Sequence, residues 1–452
     1  MNALFLLTFF PFRVIISLIY IKGDVRKLKN KLLICILFTA LGLTACSVPE
    51  TTPEDSEISE ILTENTTSVT EITETEIVQT TPETSQKDVQ VTETTEYSEP
   101  DTSSQEDENN LIENMSLEEK VCQMFIVTPE ELTGYDNVTY FDDVVRDSIE
   151  KYHVGGLIYF AENLESAEQT TALTENIQNY ALESGNNIEM FIAVDEEGGY
   201  VARVADKLNE ENTGAVAYME TEEEAYNAGV NIAEYISKYG FNLDFAPVAD
   251  VDINPENELG SRIFSDNPET VSAMSGAMVS GLQNSGNVSA TLKHFPGLGA
   301  EDGNTHYDSC TYIDRTFDEL INNEFVAFSG GINAGADFVM VGHQIMSCAE
   351  DNLPSDLSYT VVTDWLRDRL GFNGIIITDS HEMNTISGVY SSGESAVMAI
   401  EAGVDMVLMP SDFESAVQAV CDAVYDGSIS EERINQSVCR ILEKKQKLGL
   451  IQ

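Results

Sequence analysis

From Met115 onward, short apolar runs alternate with longer stretches whose apolar residues recur every three to four positions. The short runs are 125–127, 156–160, 191–195, 243–247, 290–295, 338–342, 375–379 and 406–409. Each is bracketed by amphipathic sequence with helical periodicity, so each reads as a buried strand followed by a helix. Eight such units predict a closed (β/α)8 TIM barrel, with a doubly wound open sheet as the competing architecture. Ser116-Leu117-Glu118-Glu119 has the form of a capping box and opens the first helix. Ser428-Ile429-Ser430-Glu431 starts the last one, Ile434, Val438, Ile441 and Leu442 form its apolar face, and Gly449 stops it. The pattern therefore assigns 111–452 to a single barrel domain.

The front of the chain follows a different pattern. Residues 47–110 hold eighteen acidic residues against a single lysine, Lys87, and are rich in Thr and Ser. Such a segment cannot bury enough apolar surface to fold and repels itself into an extended form, so it reads as a disordered stalk. Residues 1–46 read as a lipoprotein signal peptide with an apolar extension. Arg26, Lys27, Lys29 and Lys31 make a basic stretch, 32–43 is an apolar run too short to span a bilayer, and Leu43-Thr44-Ala45-Cys46 resembles a lipobox. Cys46 is the expected lipidated residue, which predicts an extracytoplasmic protein anchored to the cell membrane by lipid. The extension 1–20, broken by Pro11 and Arg13, is superfluous to that signal, and translation is expected to start near Val25.

Charge and cysteine content narrow the classes further. A net charge of −55 argues against nucleic acid as a partner, because phosphates would be repelled. Beyond Cys35 and Cys46, the remaining cysteines are Cys122, Cys310, Cys348, Cys421 and Cys439. They are odd in number and lack CxxC spacing, which disfavours a disulfide framework or a zinc ribbon. No cofactor or metal is expected, and the barrel is expected to be a monomer.

The chemistry-bearing residues fall where strands end. Asp195 closes the third run, Lys293 and His294 lie near the end of the fifth, His343 follows the sixth and Asp379 closes the seventh. Strand C-termini of a barrel point into one mouth, so four charged ends are hard to attribute to helix capping alone. The stretch KHFPGLGAEDGNTH, 293–306, adds a second histidine, His306, on a glycine-rich loop. A histidine titrates near neutral pH and suits proton transfer.

These blocks resemble the bacterial β-N-acetylglucosaminidases of glycoside hydrolase family 3. KHFPGLG matches that family's KHFPG-x-G, with Asn304-Thr305-His306 at the spacing of its following Asp-Ser/Thr-His. VDEEGGYVARV from Val194 is similar to VDQEGGRVQR, Gly260-Ser261-Arg262-Ile263-Phe264 to the GxRSF element, and GFNGIIITDSHEM from Gly371 to the strand bearing the nucleophile. MSLEEKVCQMF and AGVDMVLMP match further blocks, so the resemblance covers the domain from about Met115 to Leu450. It implies a retaining β-N-acetylhexosaminidase acting on terminal N-acetylglucosamine residues of peptidoglycan fragments or glycans. Asp379 is the implied nucleophile and His306 the implied acid/base, with Asn304 orienting it. Asp195, Arg203, Arg262, Lys293 and His294 are the implied substrate-binding residues, and carbohydrate is the implied partner. Glu197 matches a family glutamate and is read as structural, and His343 as lining the mouth.

The sequence departs from the pattern at three places. Asn304 stands where the family carries Asp, which predicts a less basic His306, because an amide cannot stabilise imidazolium as an anion does. Asp302 and Asp308 flank the loop as alternative partners. Leu298 replaces a histidine of the PGHG form, and Tyr200 replaces the arginine after the paired glycines. Three other readings compete: a non-catalytic sugar- or wall-binding lipoprotein, a family glycosidase or phosphorylase with another sugar preference, and a metal-dependent hydrolase. The last lacks any HExxH.

Overall fold

Eight short parallel strands form one sheet in the computed structural model, in the spatial order β7–β6–β5–β4–β3–β2–β1–β8. They are β1 (Phe125–Val127), β2 (Gly156–Ile158), β3 (Phe191–Val194), β4 (Leu243–Asp244), β5 (Ser289–Phe295), β6 (Phe338–Val341), β7 (Ile375–Thr378) and β8 (Val407–Leu408). The structure describes residues 7–9, 12–14, 111–184, 187–301 and 311–451. A parallel bridge between Ile377 and Met406 joins the two end strands, and the His381 N–H donates to the Leu408 carbonyl across the same seam. The sheet is thus a nearly closed barrel, and the open doubly wound sheet is ruled out. All eight strands lie within their expected runs except that β5 begins one residue earlier, at Ser289.

The chain divides into two units, Met1–Thr94 and Thr95–Gln452. The described residues of the first unit form an antiparallel pair, Leu7–Phe9 with Phe12–Val14. The expected signal cleavage site, Cys46 and the stalk lie outside the described residues, as do Cys310 and 302–308 with Asn304 and His306. Among the described residues no helix is long and apolar enough to cross a membrane.

The strands are short and mostly apolar because both faces are buried, one by helices and one by the barrel interior, with Asp244, Lys293 and His294 as the ionisable exceptions. Phe191 of β3 and Phe338 of β6 meet edge to face inside, 5.3 Å between centroids, so the interior is a packed core. The capping box at Ser116 and Glu119 is formed with both reciprocal hydrogen bonds. The last helix, Glu431–Leu448, starts at Ser430 and ends at Gly449 with φ 75°. Its Ile434, Val438, Ile441 and Leu442 are fully buried. Each contributes about 1.5–3 kcal/mol by leaving water.

The same helix closes the N-terminal end of the barrel. Asp405, just before β8, is fully buried and accepts from Arg367 at 2.6 Å, Arg440 at 3.0 Å and Ser437 at 2.6 Å. Nearby, the buried Lys445 ammonium donates to Gln123 Oε1 at 2.8 Å and lies over the Phe191 ring. Cys122, Cys348 and Cys421 are free thiols, the first and third buried.

Candidate active site

The C-terminal ends of β3 and β5 supply a compact ion network. Lys293 sits on β5 with its side chain almost fully buried. A bare ammonium there would be costly, and two carboxylates resolve the cost. Its Nζ lies 2.7 Å from Asp195 Oδ1 and 2.6 Å from Glu197 Oε1. Glu197 is in turn gripped by Arg262, with Nε to Oε2 at 2.7 Å and Nη2 to Oε1 at 2.8 Å, the bidentate fork that guanidinium favours. Arg203 Nη1 completes the set 2.9 Å from Asp195 Oδ2, its guanidinium stacked 5.0 Å from the Phe160 ring centre.

This network fixes its own charges. Burial alone would raise the Asp195 carboxyl, but Lys293 and then Arg203 outweigh it and hold the group well below the usual carboxylate range. Burial opposes ionisation of Glu197 too, yet Lys293 and Arg262 bring it down to about 2. Burial pulls the Lys293 ammonium down, and Asp195 and Glu197 more than reverse that. All of these groups are therefore ionised near neutral pH. Lys293 has three N–H donors and spends two on carboxylates.

Glu196 has a different task. Its two oxygens accept from the Val204 and Ala205 N–H groups and the Tyr235 hydroxyl, which starts the helix Arg203–Leu208. That helix start holds Arg203 beside Asp195. The dense acidic turn read from the sequence thus divides into an internal support, Glu196, and a network member, Glu197.

The β5 motif is built around a carboxylate the sequence did not single out. Fully buried Asp250 takes the His294 N–H at 3.1 Å, faces His294 Nδ1 at 2.9 Å, and takes the Leu298 N–H at 2.6 Å. It ties the imidazole and the turn after it to one point. Gly297, with φ 134°, occupies a backbone region that side chains avoid. A Cβ on Gly299 would lie 1.7 Å from the Val251 carbonyl oxygen, so that position also requires glycine. Leu298, where the family pattern has histidine, is buried in a small apolar cluster with Val248, Leu259 and Ile263. It packs against the loop that carries Arg262.

Asp379 follows β7 and is half-buried. Its backbone N–H donates to the Val341 carbonyl, and its Oδ1 accepts from the Ser380 N–H at 2.7 Å. Gly342 N–H donates to the Phe295 carbonyl, so β6 links the levels of His294 and Asp379 on the rim. His343 is not the mouth-lining side chain expected from the sequence: it is 1% exposed and packed beneath the turn at Ser380. His306 and Asn304 lie outside the described residues, so their roles remain expectations from the motif. Among the described residues no group of three or more His, Cys, Asp or Glu side chains is arranged to hold a metal ion.

The family model described as the glycosyl hydrolase family 3 N-terminal domain matches residues 116–444. The chain belongs to glycosyl hydrolase family 3. Beta-hexosaminidase A of Pseudoalteromonas piscicida is 32% identical over 334 residues, 67% of this chain and 55% of that protein. A beta-hexosaminidase of Chromobacterium violaceum is 34% identical over 270 residues, 58% of this chain and 73% of that protein. Among solved structures, a glycoside hydrolase family 3 beta-N-acetylglucosaminidase from Paenibacillus sp. str. FPU-7 superposes with TM-score 0.70 at 34% identity. The match covers 74% of this chain and 63% of that one. The chain therefore spans a little over half the length of the Pseudoalteromonas relative.

Within the family 3 barrel, Asp195, Arg203, Lys293 and Arg262 are joined in one network together with Glu197. His294 stands on the next residue of β5 but is held by Asp250 instead. The sequence reading missed Asp250 and the partners of His343. Their signal was weak, because Asp250 and Ser380 lie on other βα loops than the histidines they hold, and Asp356 is separated from His343 by the loop that follows β6.

Proposed function

We propose that this family 3 barrel is a retaining β-N-acetylhexosaminidase that removes terminal non-reducing N-acetylglucosamine residues. The observation that carries this reading is the Asp195–Lys293–Glu197–Arg262 network on the rim that also bears Asp379. The 34% identity to a family 3 β-N-acetylglucosaminidase structure points the sugar preference the same way. In the first half-reaction Asp379 attacks the anomeric carbon, and the departing glycosidic oxygen takes a proton from His306, with Asn304 orienting the ring. In the second, water attacks the glycosyl ester, His306 takes its proton back, and Asp379 leaves as carboxylate. The third N–H of Lys293 donates to a ring hydroxyl, and Asp195, Arg203, Arg262 and His294 complete the cradle. Hydroxyl contacts that tighten at the transition state lower the barrier, whereas uniform binding would lower only KM.

Peptidoglycan fragments and host glycans both carry the required terminus. A lipid at Cys46 with an acidic stalk would hold the barrel outside the cell membrane and clear of an anionic wall. Labelled-palmitate incorporation that disappears in Cys46→Ser tests the anchor.

The activity is tested with the 4-nitrophenyl β-glycosides of N-acetylglucosamine, N-acetylgalactosamine and glucose side by side, in phosphate and in an inert buffer. The proposal expects fastest release from the N-acetylglucosaminide, retained anomeric configuration and no rate gain from phosphate. Faster release from the glucoside, or a glycosyl phosphate product, would replace it with another family 3 activity. Sugar binding without any turnover would make the protein a lectin-like lipoprotein.

A further inference from the structure

Directly behind Asp379 lies a buried set of three side chains that the reaction scheme does not use. Asp356, on the segment after β6, is fully buried. Its Oδ2 faces His381 Nε2 at 2.9 Å, and its Oδ1 lies 3.1 Å from His343 Nδ1, off the line of a good hydrogen bond. His343 and His381 are each 1% exposed, their ring centres 5.8 Å apart. His343 Nε2 is 2.9 Å from the Ser380 carbonyl oxygen, an acceptor only, so that nitrogen carries a hydrogen and donates. His381 Nδ1 is 3.1 Å from the Ser395 hydroxyl.

This geometry constrains the protons. With Nε2 committed as donor, a neutral His343 would turn the lone pair of Nδ1 toward the Asp356 carboxylate at contact distance, a repulsion. A doubly protonated ring turns that contact into an attraction. Two imidazolium rings around one buried carboxylate would leave an unbalanced charge, so one ring is cationic and the other neutral. His381 is the neutral one, with Nε2–H donating to Asp356; the Ser395 hydroxyl, 3.1 Å from Nδ1 and 3.2 Å from the Ser392 carbonyl, can turn its hydrogen to either. Burial lowers its basicity, in keeping with this. Burial pulls His343 down as well, but Asp356 and Asp379 outweigh it and the ring is pushed up to about 9. Burial likewise opposes ionisation of Asp356, and His343 and His381 reverse it.

We propose that His343, held by Asp356 and His381, is a positioning residue for the nucleophile. It pins the Ser380–His381 peptide, one unit beyond Asp379, and places a fixed positive charge behind that carboxylate. The inference rests on the assignment of Asp379 as nucleophile. The pinned carbonyl belongs to Ser380, whose N–H is the donor to Asp379 Oδ1. A cation behind the carboxylate keeps it ionised at the pH where the acid/base is still protonated. The charged groups bearing on His343 among the described residues are Asp356 and Asp379, with neutral His381 on the far side of Asp356.

The test is the pH profile of kcat/KM for His343→Gln on a chromogenic N-acetylglucosaminide, with Asp379→Ala as control and thermal melting of each variant. Glutamine keeps an N–H for the Ser380 carbonyl but has no charge. The expected result is an acid limb moved up by about one pH unit or more. The companion expectation is a kcat lower by about 10²-fold, with a much smaller change in KM. An unmoved limb with wild-type kcat overturns the proposal, even if melting falls. Asp379→Ala with full activity would instead remove the nucleophile assignment beneath it. A second measurement needs no catalytic variant. Side-chain 15N spectra of histidine-labelled wild type should show His343 as imidazolium at neutral pH, losing its proton only near 9. In Asp356→Asn that titration should fall toward the ordinary histidine value, about 6.5. A neutral His343 in the wild type at pH 7 would overturn the proposal.

Discussion

The two ends of the barrel use the same residue types to opposite purposes. At the N-terminal end, Asp405 collects Arg367, Arg440, Ser437 and the Ile376 N–H, and Lys445 is spent on Gln123. The four contacts of Asp405 fill its carboxylate, and all come from other parts of the chain. At the C-terminal end, Lys293 spends two of its three donors on carboxylates, and Asp379 accepts from its own neighbour, Ser380. The protein fills the Asp405 carboxylate below and leaves bonding capacity unfilled above. Buried charge alone therefore does not mark a site. Capacity left open on a rim of strand ends does.

The comparison breaks most sharply under substitution of one carboxylate at each end. Asp379→Ala should lower kcat by about 10⁴-fold or more, with melting little changed. Equal activity in the variant would show that the open end is not the catalytic one. Asp405→Ala should do the reverse. It strands Arg367, Arg440 and the more distant Arg433 around an empty position and should cost about 3–5 kcal/mol of stability, read by urea unfolding. The folded fraction should keep its kcat, and a large loss there would erase the distinction between the ends.

Lys445 sharpens the comparison through pH. Burial pulls its ammonium from 10.5 down to about 7, only partly opposed by Glu189. Between those values the unfolded chain holds a proton that the folded chain has released, so this residue makes stability rise with pH. The stability of the wild type minus that of Lys445→Met should therefore climb from about pH 7 to about 10.5. The slope is at most about 1.4 kcal/mol per pH unit. A flat difference would mean that Lys445 stays charged when buried. The smallest effect is expected at the loop. Asn304→Asp should move upward the limb of the pH–rate profile set by His306, with a rate gain of less than about tenfold. An unmoved limb would mean that Asn304 does not face that ring.

Much of the barrel was legible because its strands are buried on both faces and its helices on one, and both patterns survive in a linear sequence. The strand ends were placed correctly at Asp195, Lys293 and Asp379, since each charged residue interrupts an apolar run. What stayed hidden were partners brought together by closure of the sheet. Glu197 reaches Lys293 from β3 to β5, and Asp250 reaches His294 from the loop after β4. Asp356 stands between histidines contributed by the ends of β6 and β7. Nothing local distinguishes such a carboxylate from a helix cap or a surface acid. His343 was read as a lining residue for the same reason: its position after β6 was visible, but the carboxylate that turns it inward was not.

The central claim is that Asp379 is the nucleophile at the open end of the barrel. Acid quenching during turnover of an activated aryl N-acetyl-β-glucosaminide, followed by peptide mass spectrometry, tests it directly. The account predicts one N-acetylhexosaminyl group esterified to the peptide containing Asp379, absent from Asp379→Ala. A sugar adduct on another residue, or no adduct together with an inverted product, would contradict it.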